Sequence, residues 1–149
     1  MNRTIALLLF LLPAQLFGQQ FLDKSQAATK ALLKNAAGNS KISSESSTTI
    51  AYSLKPEKEC AFTGSLVFDD KGKCIIEQLG APADSCMATR LAALLDTKKC
   101  NWTKINENQF VSDFNSRLML ELPPDGKKNA YKLMRMDWTR ELYELLMKN

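Results

Sequence analysis

The chain contains no histidine, although 20 of its 149 residues are lysine or arginine and 16 are acidic. Histidine is the usual proton carrier near neutral pH, so its absence excludes every catalytic triad or proton shuttle built on an imidazole. The adjacent carboxylates Asp69 and Asp70 belong to an Asp-Asp-Lys-Gly sequence, which is typical of a turn. The sequence therefore favours a protein that is not an enzyme.

The chain also lacks a C-x-x-C pair and any run of more than two consecutive lysines or arginines. Without histidine or a close cysteine pair, the cysteines match no zinc-site pattern and no redox dithiol. The formal net charge of +4 is spread along the chain, so the basic patch that marks nucleic-acid binding is missing. We expect no metal, no cofactor and no nucleic-acid partner.

No apolar run is long enough to cross a membrane, which takes about 20 residues. The longest run spans residues 5–12, after Arg3 and before Pro13. A basic residue, a short apolar segment and a small residue in this order outline a secretory signal. We expect residues 1–18 to be a signal peptide cleaved after Gly18, and the mature protein to be periplasmic or secreted.

Four cysteines, Cys60, Cys74, Cys86 and Cys100, follow the signal segment. An even number of cysteines in an exported chain indicates disulfide bonds. Four cysteines allow three connectivities, and the residues alone select none of them.

Composition and periodicity divide the rest of the chain into four segments. Residues 19–38 carry apolar side chains at helical spacing and predict an N-terminal amphipathic helix. Residues 39–47 are rich in serine and lead into Thr48 and Thr49, and they predict a linker. Residues 48–124 predict a folded domain, and residues 125–149 predict a C-terminal helix because their apolar residues also recur at helical spacing.

The predicted domain contains two apolar runs separated by a turn. Residues 62–68 alternate as a strand does, Gly72 supplies the left-handed position of a tight hairpin, and residues 73–79 return as a second strand. A helix over residues 85–98 and a third strand over residues 110–122 follow. The domain order is therefore β-β-α-β.

This order resembles the C-terminal domain of TonB, the periplasmic energy transducer of Gram-negative bacteria. The matching residues are the strand Phe62–Phe68, the Asp-x-x-Gly turn Asp69–Gly72, the strand Cys74–Leu79, Trp102 just past the helix, and "RLMLELP" at residues 117–123. The resemblance covers residues 60–123. The chain differs from TonB in having neither a membrane anchor nor a proline-rich spacer.

The resemblance implies an α+β fold with a three-stranded antiparallel sheet in β-β-α-β order, packed by helices, with added N-terminal and C-terminal helices and disulfide staples. It also implies that the protein captures an extended segment of a protein partner at the exposed edge of the third strand, by β-augmentation. The residues that would shape this edge are Phe110, Val111, Phe114, Leu118, Leu120 and Leu122.

The expected partner is a periplasmic or outer-membrane protein. Pairing of two third strands would instead give a homodimer. The alternative from another class is a secreted effector, or an enzyme without histidine, whose topology is coincidental.

The implied topology also pairs the cysteines. If the strands and the helix alternate in direction, Cys60 and Cys86 lie at one end of the domain and Cys74 and Cys100 at the other. We therefore expect the disulfides Cys60–Cys86 and Cys74–Cys100. Trp102 is expected to pack under the sheet.

Overall fold

The computed structural model describes residues 21–35, 39–55, 60–96, 98 and 100–148, so the predicted signal peptide lies outside the described residues. Over these ranges the chain is α+β, with three helices and one antiparallel sheet of eight strands. None of the helices found in these ranges has the length and apolar character that crossing a bilayer demands.

The elements follow one another as α1 (Gln26–Asn35), β1 (Asn39–Glu45), β2 (Thr49–Lys55), β3 (Phe62–Phe68), β4 (Cys74–Gly80), α2 (Asp84–Leu95), β5 (Thr103–Asn106), β6 (Gln109–Val111), β7 (Leu118–Glu121), β8 (Ala130–Arg135) and α3 (Arg140–Met147). Across the sheet the order is β1-β2-β3-β4-β8-β7-β6-β5. Two four-stranded meanders, each preceded by a helix, are thus joined where β4 meets β8.

The register at this seam is centred on Gln78, which lies opposite Lys132. Ser65 of β3 lies opposite Gln78, and Glu121 of β7 lies opposite Lys132. Outward from the seam, the strands are β4, β3, β2 and β1 on one side and β8, β7, β6 and β5 on the other. The two meanders are therefore related by an approximate two-fold axis at the seam.

One face of the sheet forms the core. Side chains of successive strand residues point to opposite faces, and the core-facing residues of the strands are buried together with Met87, Leu91 and Leu94 of α2. The strand residues in this core are Ile50, Tyr52, Leu54, Phe62, Leu66, Phe68, Cys74, Leu79, Leu118, Leu120, Tyr131 and Leu133. Phe21, Leu22 and Leu33 of the N-terminal segment complete it.

The predicted hairpin between β3 and β4 is confirmed. Asp69 Oδ1 accepts hydrogen bonds from the backbone N–H of Lys71 and of Lys73, at 3.0 and 2.7 Å. Gly72 has φ +70°, a conformation that costs glycine little. The carboxylate of Asp69 thus serves the turn.

One of the two expected disulfides is present. Cys60 and Cys86 are bonded, with their Cα atoms 5.6 Å apart. The expected bond between Cys74 and Cys100 is wrong, because both are buried thiols. The carbonyl of Cys100 accepts from the N–H of Asp113, just past β6, and two strands separate β6 from β4, whereas a disulfide needs Cα atoms within about 7 Å.

The N-terminal predictions are corrected in two places. The helix starts only at Gln26, and Ser25 makes a β-bridge to Lys73; residues 19, 20 and 36–38 lie outside the described residues. The predicted linker over 39–47 is largely strand β1, which pairs with β2. Serine is polar enough to suggest a linker, but the pairing of β1 with β2 overrides the local pattern, and an edge strand tolerates polar side chains on its solvated side.

The predicted C-terminal helix over 125–149 is also wrong as a single element. Ala130–Arg135 forms β8 at the centre of the sheet, and only Arg140–Met147 is helical. Tyr131 and Leu133 are buried and the residues between and beside them are half-buried, as in a strand with one face on the core. The prediction of a helix came from the spacing of Tyr131, Met134 and Trp138, which also fits a helix. The pairing of β8 with β4 and β7 overrides the local pattern.

The three-stranded sheet is replaced by a larger one. The expected third strand over 110–122 is a hairpin of β6 and β7. Trp102 packs against the core, as expected, and its Nε1 donates to the carbonyl of Leu94 at 2.9 Å.

Gly64→Ala should lower the free energy of unfolding by about 1 to 3 kcal/mol, because overpacking strains a filled core. A Cβ at Gly64 would lie 2.3 Å from Cζ of Tyr52. Gly80→Ala is the matched control, since its Cβ would meet nothing closer than 3.8 Å. Urea unfolding measures both. Equal stabilities of the two variants would contradict the packing of Tyr52 across β3.

Replacing Cys60 and Cys86 by serine should lower the free energy of unfolding by about 3 to 4 kcal/mol, from the entropy of the open loop in the unfolded chain. The two cysteines are separated by 26 positions. Urea unfolding of the variant and of the wild type, oxidised and reduced, tests this. The reduced wild type should match the variant; a wild type insensitive to reductant would show that the bond contributes nothing.

Candidate functional site

The residues predicted to bind a partner do not form a free edge. Strand β7 is hydrogen-bonded to β6 on one side and to β8 on the other. Leu118 and Leu120 are buried in the main core, and Phe110 and Leu122 pack against it. The predicted edge is wrong because the strand that closes the sheet, β8, comes from the segment predicted as a helix.

The other two predicted residues, Val111 and Phe114, lie outside the main core. Val111 is fully buried and points away from the main core, because it pairs with Met119 rather than with a core residue. Phe114 packs edge-on against Tyr143, with ring centroids 5.5 Å apart. The Tyr143 hydroxyl donates to the carbonyl of Ser112 at 2.9 Å. Val111 and Phe114 are therefore covered by other parts of the same chain and are not available as a free strand edge.

The true edges of the sheet, β1 and β5, are poorly suited to adding a strand. The register of β1 shifts between Ile42 and Ser44, and that of β5 shifts between Lys104 and Asn106. Such irregularities and lysines protect edges against pairing. A partner is therefore more favourably bound on the face of the sheet than along its sides.

The face opposite the core, called here the open face, carries a row of polar side chains across five strands. From β3 to β6 this row consists of Ser65, Gln78, Lys132, Glu121 and Gln109. Ser65 Oγ donates to Gln78 Oε1 at 2.9 Å. Gln109 Nε2 donates to Glu121 Oε1 at 2.9 Å. The row is thus tied into two hydrogen-bonded pairs on either side of Lys132.

The ion pair in this row is partly shielded from solvent. Lys132 Nζ lies 3.7 Å from Glu121 Oε2, and the two side chains are 35 % and 32 % exposed. An ion pair of this exposure contributes little to stability. It keeps the two opposite charges at the middle of the row, where they remain within reach of a ligand.

A second row, nearer the strand ends, has small side chains. Thr63 lies opposite Gly80, and Gly80 lies opposite Ala130. The missing bulk leaves a depression of about 540 Å³, bounded on one side by Leu122 and Pro123. The depression therefore exists because three adjacent strands carry small residues at one level.

The depression continues past the ion pair. A neighbouring hollow of about 400 Å³ is lined by Asn106, Asn108, Gln109 and Pro124. It shares Glu121 and Leu122 with the first depression. These two adjoining hollows are called here the cross-strand groove, and their lining comes from β3, β4, β8, β7, β6 and the end of β5.

A third row of the open face is apolar. It consists of Val67, Ile76, Met134 and Met119, each opposite the next, and all four are half-buried. Methionine side chains adapt to irregular surfaces. The polar row is thus flanked by a strip that can contribute hydrophobic contact.

The core contains a second group of ionisable residues. Glu77 of β4 is fully buried, and its Oε1 accepts from the Tyr131 hydroxyl at 2.8 Å. Burial, reinforced by this carboxylate, holds the pKa of Tyr52 and of Tyr131 well above its usual range. Arg90 of α2 opposes this effect, and its guanidinium lies 4.3 Å from the centre of the Phe62 ring.

This buried cluster is closed to solutes, because Glu77 is 0 % and Tyr131 3 % exposed. The hydrogen bond from Tyr131 and the positive charge of Arg90 on α2 both offset part of the free-energy cost of burying the Glu77 carboxylate. Burial also raises the pKa of the Cys74 thiol to about 12, far from the range of a reactive cysteine. The cluster therefore contributes to the packing of α2 on the sheet.

In the described part of the chain, no three cysteine, aspartate or glutamate side chains lie close enough together to hold a metal ion. The cross-strand groove was not predicted from the sequence. Its rows combine residues of both meanders, which become neighbours only when β4 pairs with β8. The one local signal is Gly80, a glycine at the end of strand β4.

Comparisons of the chain with protein-family models, with curated proteins and with solved structures found no match. The candidate function therefore depends on the geometry and chemistry of the open face.

The free energy of unfolding should fall as the pH rises from about 9 to about 12. The Cys74 thiol has its pKa raised from 9.0 to about 12 in the folded protein, so the unfolded chain loses this proton first and rising pH favours unfolding. Below pH 9 the contribution is fully present.

Urea unfolding at about pH 8, 10 and 11 measures this dependence. Cys74→Ala should show a shallower decline than the wild type, and the buried tyrosines are common to both proteins. Parallel declines would contradict a buried thiol that resists ionisation.

Proposed function

We propose that this protein is an exported binding module that holds an extended segment of a protein partner in the cross-strand groove. The groove is the observation that carries the proposal. Its first depression, of about 540 Å³, falls within the size range of ligand sites. It lies over the seam of the sheet, where strands of both meanders contribute to it.

The chemistry of the groove suits a polypeptide backbone. A side-chain amide has two N–H donors and two acceptor lone pairs. Gln78 and Gln109 therefore keep hydrogen-bonding capacity beyond their bonds to Ser65, Asn106 and Glu121, and Asn108 adds a third amide to the lining. Hydroxyls of Thr63 and Ser65 add further hydrogen-bonding groups. A segment lying in the groove could therefore satisfy its backbone without joining the sheet as a strand.

The length of the groove suits a short segment. Crossing five strands covers four inter-strand spacings, about 19 Å, which corresponds to about six extended residues. The apolar row of Met134, Met119, Ile76 and Val67 runs beside it. Protein interfaces are enriched in methionine, so this row fits the hydrophobic contact that such a segment needs.

The Cys60–Cys86 disulfide supports an extracytoplasmic location, because disulfides persist in oxidising compartments. The signal-like residues at the N-terminus agree with export. The resemblance to the TonB C-terminal domain favours a protein as the partner. The proposed contact is different, because β7 offers no edge for β-augmentation.

Filling the groove should abolish binding. Gly80→Leu keeps an ordinary backbone and its Cβ has room, so the side chain extends into the depression while the fold is retained. The experiment selects random dodecapeptides displayed on phage against the full chain and measures the selected peptides by isothermal titration calorimetry. We expect Gly80→Leu to weaken binding by at least about tenfold, since it takes up the space of the ligand.

Ala88→Leu, on the exposed side of α2, is the matched control, because it adds the same side chain away from the groove. It should bind the peptides as the wild type does. Peptides that bind Gly80→Leu as tightly as the wild type, or a selection that yields none, would overturn the proposal.

A further inference from the structure

The most exposed apolar side chains of the described residues are concentrated on α3. Leu142 is 57 %, Leu145 61 % and Met147 36 % exposed, and the fourth large exposed hydrophobic is Ile42 of β1. No residue of α3 is buried. Two leucines exposed to this extent on adjacent turns indicate a surface that is covered in the working protein.

The helix is anchored by its opposite side. Tyr143 contacts the rings of Phe114 and Trp138 and bonds to the carbonyl of Ser112. At 100° per residue, Leu142 and Leu145 lie 60° apart and face away from Tyr143. The anchoring contacts therefore fix α3 with its leucines turned outward.

Charges at the two ends of this exposed face are complementary. Glu141 lies at the start of α3 and Lys148 just after its end, and both are exposed. Seven residues make nearly two turns, so the two side chains lie on the same side of the helix. The exposed leucines are thus flanked by a negative charge at one end and a positive charge at the other.

We infer that α3 is the contact through which two copies of this chain associate. An antiparallel pair of α3 helices related by a two-fold axis would place Glu141 against the partner's Lys148, and Lys148 against the partner's Glu141. It would also bring the two Leu145 side chains together near the axis and bury Leu142 beside them. Closed two-fold pairs of this kind are the commonest oligomers.

The contact is separate from the cross-strand groove, because no residue of α3 lines either hollow. An eight-residue helix is about 12 Å long, so the interface is small. Small interfaces are typical of transient association. The dimer fraction should therefore rise with protein concentration.

Sedimentation equilibrium of the full chain tests the apolar part of the contact. The wild type should form dimers as its concentration increases, and Leu142→Gln/Leu145→Gln should weaken dimerisation by at least about tenfold, as loss of a central apolar contact does. Both leucines are exposed, so the variant should fold as the wild type does. Ile42→Gln is the matched control, an equally polar change on β1, and should leave dimerisation unchanged.

Charge reversal tests the pairing itself. Glu141→Lys and Lys148→Glu should each weaken dimerisation by placing like charges together, and the combined variant should restore it. A wild type that is monomeric up to millimolar concentration would overturn the inference. A leucine variant that dimerises as the wild type does, or a combined charge variant weaker than either single change, would also overturn it.

Discussion

The pairing of β4 with β8 is the constraint on which the rest of the sheet depends. β4 is the last strand of the first meander and β8 the last strand of the second. Their nearest paired residues, Gly80 and Ala130, are about 50 positions apart in the chain, so forming this pair costs loop-closure entropy. The bond from the Tyr131 hydroxyl to Glu77, at 2.8 Å, crosses the seam on the core side. A slip of one residue would turn Glu77 to the open face and leave the half-buried Arg90 without this carboxylate.

The seam also explains why the groove lies where it does. The register that places Glu77 in the core places Gln78 and Lys132 together on the open face. The same register aligns Gly80 with Ala130, so the small residues of the two meanders meet at one level. The buried polar contact and the exposed groove are therefore two results of one strand pairing.

Sequence patterns predicted the parts of the fold that local interactions determine. The hairpin with Gly72 and the buried face of α2 both join residues close in the chain. The Cys60–Cys86 bond was expected only from the topology that the resemblance to TonB implies. β8 could not be recognised in this way, because its residues also fit a helix and only pairing with distant β4 decides between the two. The expected Cys74–Cys100 bond failed for the same reason. After α2 the chain runs to β5 at the edge of the sheet, which carries Cys100 away from Cys74 on β4.

The site was harder to predict than the fold, because it depends on relations between strands. Half of the side chains of this sheet face away from the core, so packing does not determine them. On such a face an ordinary solvated surface would carry mixed charges. The polar row holds one ion pair, Lys132 with Glu121, among amide and hydroxyl side chains. The rows beside it are small residues and half-buried apolar residues, and each row is continuous across the seam. Because the strands at both sides of the sheet are bulged and carry lysines, the proposal of binding depends on this face and not on an edge.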